Sequence, residues 1–379
     1  MLRPSIAHAA FDAALFDRLR EALARGALSG ERSRLATPPT PLGEDAVTRL
    51  DALHGPERDR LRARGARAIA HGEVAALILN GGMATRFGGA VKGVVPALTG
   101  RDALSFLAIK LADLRRATDG AEVPVVLMHS FATSAASAEH LAAIDWSGIS
   151  PDLRMSFEQS LLPRVLADGT PLPEVAGAEQ LGDTTLYAAP GHGDTLRRLR
   201  DSGTLAALAQ RGVRHLLISN VDNLGASLDP ELLGAHLEAV ERGAALSVEV
   251  VTREPGDAGG CVALVDGRPQ IIEGFRLPAG VDLGTYPHFN TNTLWATLAA
   301  LAGEHPLTWF PVRKVIEWPD GGSREVVQFE TLIGQLSEFV PTACLQTPRA
   351  RFLPIKTRED LARAQGSIAA IARAAGLAV

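Results

Sequence analysis

The central part of this 379-residue chain predicts an α/β fold, a mixed but largely parallel sheet with helices on both faces. Three observations carry that prediction. VAALILN is a short continuous apolar run, VPVVLMHS and RHLLIS are two more with their polar residues at the ends, and ALSVEVV follows; continuous apolar runs are what strands buried on both faces require. Helical patterns separate them: ALSFLAIKLADLRR, TSAASAEHLAAID and a segment from about Pro230 to Arg242. Hydrophobic residues make up 46% of the chain, enough for a sizeable core at this length. In such sheets ligands gather beyond the carboxyl ends of strands, so the segments after Asn80, Ser130 and Ser219 are the places to look.

In chain order, residues 1–72 read as an N-terminal helical region. Phe11, Leu15, Leu19 and Ala22 recur at helical spacing, and Ala46 to Ile69 forms a second periodic segment. The Pro-rich ATPPTPLGED between them continues neither helix, and the whole reads as a cap beside the main domain. Residues 73–345 hold the α/β domain. Within it, CVALVDGRPQIIEGF pairs two β-like runs around Asp266-Gly267, a dipeptide suited to a tight hairpin turn. Residues 346–379 form a C-terminal segment whose terminal helix has Thr357 as N-cap, with Glu359 and Asp360 in its first turn.

Bulk properties exclude several functions. A formal charge of −5 leaves no basic footprint for nucleic acid or an anionic membrane. No apolar stretch is long enough to span a bilayer. The early apolar run is broken by His8 and Asp12, which argues against a signal peptide. Cys261 and Cys344 are too few for a disulfide framework or zinc cluster, so a reducing, cytoplasmic compartment is expected.

Five segments could carry chemistry. LILNGGMATRFGGAVKG places Gly81, Gly82, Gly88 and Gly89 between a strand and a helix, with Arg86 and Lys92 in the same loop. Backbone amides there can approach phosphates, although a plain strand–helix loop with incidental charges reads equally well. HLLISNVDNLGA delivers Asn220, Asp222 and Asn223 at a strand end. One carboxylate flanked by amides suits Mg²⁺, which retains waters and shares phosphate oxygens; an Asx turn is the alternative. In APGHGDTL, Gly191 and Gly193 bracket His192, which is expected to face a ligand rather than the core, and Asp194 could open a helix. In HFNTNTLW, Asn290 and Asn292 stand two apart ahead of an expected helical run, either as uncharged partners for sugar hydroxyls or as N-caps. RFLPIKTREDL sets Lys356 before the terminal helix. That lysine and Lys314 in RKVIEW are by default solvated surface.

The order of these segments is more specific than any one of them. LNGGMATRFGG with Lys92, SFEQSLLPRV, PGHGD, NVDNLGA, FNTNTLW, KVIEWPDGGSREVVQFETLIGQ and RFLPIKT follow one another from Leu77 to Asp360. This series resembles the eukaryotic-type UTP–glucose-1-phosphate uridylyltransferase family. The resemblance implies a glycosyltransferase A-like nucleotidyltransferase fold, Mg²⁺ and an ordered reaction, UTP first, that gives UDP-glucose and pyrophosphate from UTP and glucose 1-phosphate. It implies that Leu79, Asn80, Gly81 and Gly82 form the nucleotide loop, with Lys92 at the triphosphate, and that Gln159 and the backbone at Gly191 read the uracil. His192 would lie near the phosphates and sugar, Asp222 would hold the metal, and Lys356 would reach over the phosphates. Asn220, Gly260, Glu273, Asn290 and Asn292 fall on sugar-side positions.

There are departures. Ala84 stands where the family usually has glycine, Val91 replaces a proline, and Arg86 resembles the arginine of bacterial-type nucleotide-sugar pyrophosphorylases. The family normally continues beyond RFLPIKT into a carboxy-terminal β-helix, so a monomer or weak homo-oligomer is expected. Lys92, Arg86, Lys356 and Asp222 form the expected charge-neutralising set for in-line transfer. Two rival readings keep the scaffold. One is the same transfer to N-acetylglucosamine 1-phosphate or galactose 1-phosphate. The other is a UDP-sugar-dependent glycosyltransferase, although NVDN lacks the second aspartate of an Asp-x-Asp motif.

Overall fold

A computed structural model describes residues 3, 6–7, 9–84, 89–100, 103–257 and 259–379. Arg86 and Gly88 lie outside the described residues. The strands that position the site are β1 (Val47–Arg49), β2 (Val74–Leu79), β3 (Val125–His129), β4 (Arg154–Glu158), β5 (His215–Asn220), β6 (Leu246–Thr252), β7 (Cys261–Val265), β8 (Arg268–Ile272), β9 (His288–Thr297), β10 (Phe310–Glu317), β11 (Ser323–Glu330) and β12 (Thr342–Gln346). The helices that cover them are α1 (Ala13–Ala24), α2 (Gly55–Ala70), α3 (Phe106–Thr118), α4 (Ser134–Ala143), α5 (Thr195–Asp201), α6 (Pro230–Glu241) and α7 (Arg358–Ala374).

The central sheet runs β1-β12-β6-β9-β5-β2-β3-β4. Its neighbours pair in parallel except at β9, which is antiparallel to both β5 and β6. The mixed, largely parallel sheet expected from the apolar runs is therefore present. All six residues of β2 are buried. Val74, Ala76 and Ile78 join one cluster with Leu61 of α2, Leu107 of α3 and Ile368 of α7. Ala75, Leu77 and Leu79 join the opposite cluster with Leu196 and Leu199 of α5. Alternate side chains thus enter two different cores, which is why the run needs no polar positions.

The expected hairpin is β7–β8, with Asp266 at φ 50° and Gly267 at φ 75°, the positive pair a type I′ turn demands. It attaches to β9 and to Thr40–Pro41. The terminal helix α7 starts in a capping box: the Thr357 hydroxyl accepts from the Asp360 amide at 3.1 Å, and the Asp360 carboxylate accepts from the Thr357 amide at 2.9 Å.

Two expectations are corrected. Residues 1–72 are not one helical cap. Val47–Arg49 is an edge strand paired with β12, inside the stretch read as helical from Ala46. The two helices also pack apart. Phe16, Leu19 and Leu23 of α1 meet Leu162, Val165, Val327 and Phe329, whereas Leu61, Ala68 and Ile69 of α2 enter the main core. Each apolar stripe is buried by the nearest apolar surface, and periodicity does not specify which surface that is. The main core also takes in Ile368 and Ala372 of α7, so packing runs across residues 72 and 345. The second correction concerns HFNTNTLW, which is strand β9 rather than a prelude to helix. Its β-branched and aromatic residues fit a pleated surface, and neither Asn290 nor Asn292 caps a helix.

Candidate active site

One cleft of about 1050 Å³ opens at the carboxyl ends of β2, β3, β4 and β5, the expected side of such a sheet. Leu79, Gly81, Gly82, Lys92, Gln159, Gly191, His192, Asn220 and Asp222 all line it, although they come from segments up to 143 positions apart in the chain. Of the three strand-end positions singled out, Ser130 lines it too.

The glycine loop is shaped from below. The Ser130 hydroxyl donates to the Gly81 carbonyl at 2.9 Å, and Met83–Ala84 pairs with Ala90–Val91 as a short ribbon. A Cβ on Gly81 would collide with Gln159 Oε1, so a larger residue there would displace the Gln159 carboxamide. Gln159 Nε2 donates to the Gly191 carbonyl at 2.6 Å. Asn80 does not face the cleft. It is fully buried, with Nδ2 bonded to Ser137 Oγ at 2.9 Å and to His129 Nδ1 at 3.1 Å. Burial lowers the His129 pKa to about 4, so a neutral ring accepts there. Asn80 ties the loop to its neighbours from behind.

The PGHGD turn is clamped against residues 331–333. Gly191 has φ 74°, and a Cβ there would stand 2.5 Å from the Thr331 carbonyl oxygen. A Cβ on Gly193 would meet the Leu332 amide nitrogen at 2.6 Å. The Ile333 amide donates to His192 Nδ1 at 2.9 Å, and burial lowers the His192 pKa to about 4. With Nδ1 accepting, a neutral ring carries its proton on Nε2, which makes the other nitrogen a donor. Asp194 does not cap α5 with its side chain. Its carboxylate accepts from the Ser160 amide at 2.6 Å and pairs with Arg197, tying this turn to the Gln159 segment.

At the floor, Lys92 Nζ lies 3.1 Å from Asp222 Oδ2 and donates to the Ile355 carbonyl. The Ile355 amide in turn donates to the Asp222 carbonyl at 3.3 Å. The glycine loop, the strand-end aspartate and the segment carrying Lys356 therefore meet at one point. Among the described residues no group of three His, Cys, Asp or Glu side chains could hold a metal ion. A divalent cation here would rely on Asp222 and on oxygens of a bound phosphate, as Mg²⁺ readily does.

Gly260, Glu273, Asn290, Asn292 and Lys356 do not line the cleft but adjoin it. The Asn290 amide donates to the Gly260 carbonyl at 3.1 Å, and a Cβ on Gly260 would stand 2.7 Å from the Ile272 carbonyl oxygen, just ahead of Glu273. A register shift in β9 opposite Glu249 and Val250 puts Asn292 at φ 56°. There its amide donates to Asn290 Oδ1 at 3.0 Å, and its Nδ2 donates to Asn220 Oδ1 at 3.1 Å. Asn220 lines the cleft, so this chain joins the two groups of residues. Burial raises the Glu273 pKa, partly offset by the Lys356 ammonium and the Arg276 guanidinium. Lys356 itself is exposed.

The far wall holds residues not singled out above. Arg164 Nε donates to Gln328 Oε1 at 3.1 Å, its Nη1 donates to the Thr184 and Thr185 carbonyls, and Gln328 Nε2 donates to Glu330. Lys314 lines the cleft on β10 and is exposed there, in keeping with its default reading as solvated surface. The signal for Gln328 and Glu330 was their spacing of two on one strand face, which acquires meaning only once β11 is known to overhang the cleft.

Comparison with known proteins agrees with this geometry. The model of a family described as UTP–glucose-1-phosphate uridylyltransferase matches residues 36–374. The enzyme of that name from Saccharomyces cerevisiae is 33% identical over 303 residues, 76% of this chain and 58% of its own length. The one from Hordeum vulgare is 30% identical over 355 residues, 90% of this chain and 71% of its own. A Leishmania major UDP-glucose pyrophosphorylase variant in complex with UDP-glucose superimposes with a TM-score of 0.71 at 28% identity, covering 91% of this chain and 73% of that one. The chain thus spans about three fifths of the length of the first relatives it matches. With the matched span running through the Gly81 loop, His192, Asp222 and Lys356, the chain belongs to the UTP–glucose-1-phosphate uridylyltransferase family.

Proposed function

We propose that the protein transfers the uridylyl group of UTP to glucose 1-phosphate, releasing UDP-glucose and pyrophosphate. The observation that carries this reading is the meeting of Lys92, Asp222 and the Ile355–Lys356 segment at the floor of a glycine-lined cleft. In the proposed reaction a phosphate oxygen of the sugar phosphate forms a bond to the α-phosphorus. The bond from that phosphorus to the bridging oxygen breaks, and pyrophosphate leaves with the electron pair. The nucleophile is already an anion, so no strong general base is required. The obstacle is the approach of two polyanions, and catalysis consists of positioning and charge neutralisation.

In this reading Gly81, Gly82 and Leu79 cradle the nucleotide, and Gln159 with the Gly191 backbone reads the base. His192 donates from Nε2 to a phosphate or sugar oxygen. Lys92 and Lys356 neutralise phosphate charge, together with Arg86. Asn220, Gly260, Glu273, Asn290 and Asn292 bound the sugar side. Asp222 holds Mg²⁺, which supplies a Lewis-acid charge to the phosphates. Both cysteines are buried and unbridged, which supports a reducing, cytoplasmic setting. No described helix is long and apolar enough to cross a membrane. The proposed assembly is a monomer or weak homo-oligomer.

A panel of nucleoside triphosphates against sugar 1-phosphates with Mg²⁺, followed by pyrophosphate release, tests the reading. Turnover is expected with UTP and glucose 1-phosphate. A preference for N-acetylglucosamine or galactose 1-phosphate would redirect the sugar assignment, and no release with any pair would sink the proposal.

A further inference from the structure

Lys110 is 2% exposed, in a helix whose other faces are packed in the main core. Its Nζ donates to the Asn223 carbonyl at 2.8 Å and to the Ala226 carbonyl. Among the described residues it forms no ion pair. The charged groups facing it are Asp113 one turn along α3, Arg351 ahead of α7, Glu249 of β6 and Asp222 after β5. Burial pushes its pKa down to about 8. An ammonium satisfied only by carbonyls is a costly core residue, and an apolar side chain of similar volume would pack α3 without that cost. What the charge does instead is grip both ends of the turn that follows Asp222.

That turn is the bed on which the Lys356 segment lies. The Leu353 amide donates to Asn223 Oδ1 at 2.9 Å, and the Ile355 amide to the Asp222 carbonyl at 3.3 Å. Gly225 comes so close to Ala350 and Arg351 that a Cβ on it would stand 2.6 Å from the Ala350 carbonyl oxygen. Arg351 secures the near end, bonded twice to Glu249 at 2.8 and 3.0 Å and to the Ser227 carbonyl at 3.0 Å. Beyond it, the polar contacts that fix the path as far as Ile355 come from the 222–226 turn and Lys92, while Phe352 packs on Phe289 and Leu353 and Ile355 pack on the main core.

We propose that Lys110 is a positioning residue: by holding residues 223–226 in one shape, it sets where Lys356 and Asp222 stand relative to each other. The structural part stands alone, and the kinetic part rests on the uridylyl transfer proposed above.

The test uses the full chain with Lys110→Met, which keeps the volume and removes the donors. Hydrogen exchange at the Leu353 and Ile355 amides is expected to quicken by about tenfold or more, while β2 amides change by less than about twofold, as a local loosening requires. kcat is expected to fall by about 10- to 100-fold with KM for UTP within about threefold, since misplacement acts on the transition state. In a Lys356→Ala background the same change should cost less than about threefold, because two residues acting through one position are not additive. Unchanged exchange at those two amides overturns the proposal, as does a turnover loss that multiplies in full with Lys356→Ala. If Lys110→Met gives no cooperative melt, Lys110→Gln is judged by the same outcomes. If the parent transfers no uridylyl group, the function proposal fails while the exchange measurement still decides the role of Lys110.

Discussion

The proposed nucleotide end and the proposed sugar end of the site are built on different principles. At the nucleotide end the structure relies on backbone and on missing side chains. Gly81 touches Gln159, and Gly191 and Gly193 are pressed against residues 331–332. At the sugar end it relies on side-chain amides relayed from Asn290 through Asn292 to Asn220, aimed by an irregularity in β9. At the first end an atom added on Gly191 or Gly193 meets fixed backbone. The second depends on polar groups that a different residue would simply fail to supply. Substitutions at the nucleotide end should therefore distort the site, whereas those at the sugar end should remove recognition and leave the scaffold standing.

Where the two ends meet, effects should be largest. Asp222→Ala and Lys356→Ala are each expected to lower turnover by at least about 100-fold, as loss of a preorganised charge commonly does. Steady-state kinetics on folded variants would show this, and near-normal turnover in either would remove that residue from the chemistry. Next, Gly191→Ala puts a Cβ on a residue at φ 74° and 2.5 Å from a carbonyl oxygen. A loss of stability above about 1 kcal/mol is expected in denaturant titration, with weaker UTP binding. An unchanged midpoint would break the contrast between the ends.

Asn292→Gly sharpens it from the other side. Glycine accepts φ 56° without strain, so the variant removes the carboxamide bond to Asn220 and little else. KM for the sugar phosphate should rise by about tenfold, the value of one hydrogen bond of about 1.4 kcal/mol, with KM for UTP unchanged. Equal rises in both would show the two ends to be one unit.

A further effect is with pH. His192, His129 and His215 are held near about 4 by burial, and His236 near about 3, below the ordinary value of about 6.5. Between these values the unfolded chain binds more protons than the folded one, so stability rises with pH there. It should be complete above about pH 6.5 and decline as the pH falls towards 4. Melting curves across that window check the sign, and His215→Phe should flatten the slope.

The residues themselves show why some of this was legible in advance. The β2 run and the Asp266-Gly267 turn declare themselves because their physical demands are local: burial on both faces in one case, two positive φ angles in the other. Asn80 was read as part of the nucleotide loop, yet its carboxamide turns inward to Ser137 and His129, since one residue's rotation at a strand end decides which side it serves. Asn290 and Asn292 were read ahead of a helix because their chemistry, amide and hydroxyl in alternation, is compatible with a cap as well as a strand. Arg164, Gln328 and Glu330 sit inside the SFEQSLLPRV and KVIEWPDGGSREVVQFETLIGQ stretches without standing out there, and their place on the cleft wall shows only once β10–β11 is known to lie across it.

Sequence by itself determined the alternation of buried strands and helices, the hairpin and the capped terminal helix, because each follows from contacts or dihedral demands within a few residues. Tertiary structure alone decided that Val47–Arg49 would join the sheet, that α1 and α2 would part company, and that Lys92 and Asp222 would come within 3.1 Å. Those outcomes depend on which distant surfaces bury one another, and a pattern read along one chain carries no record of that choice.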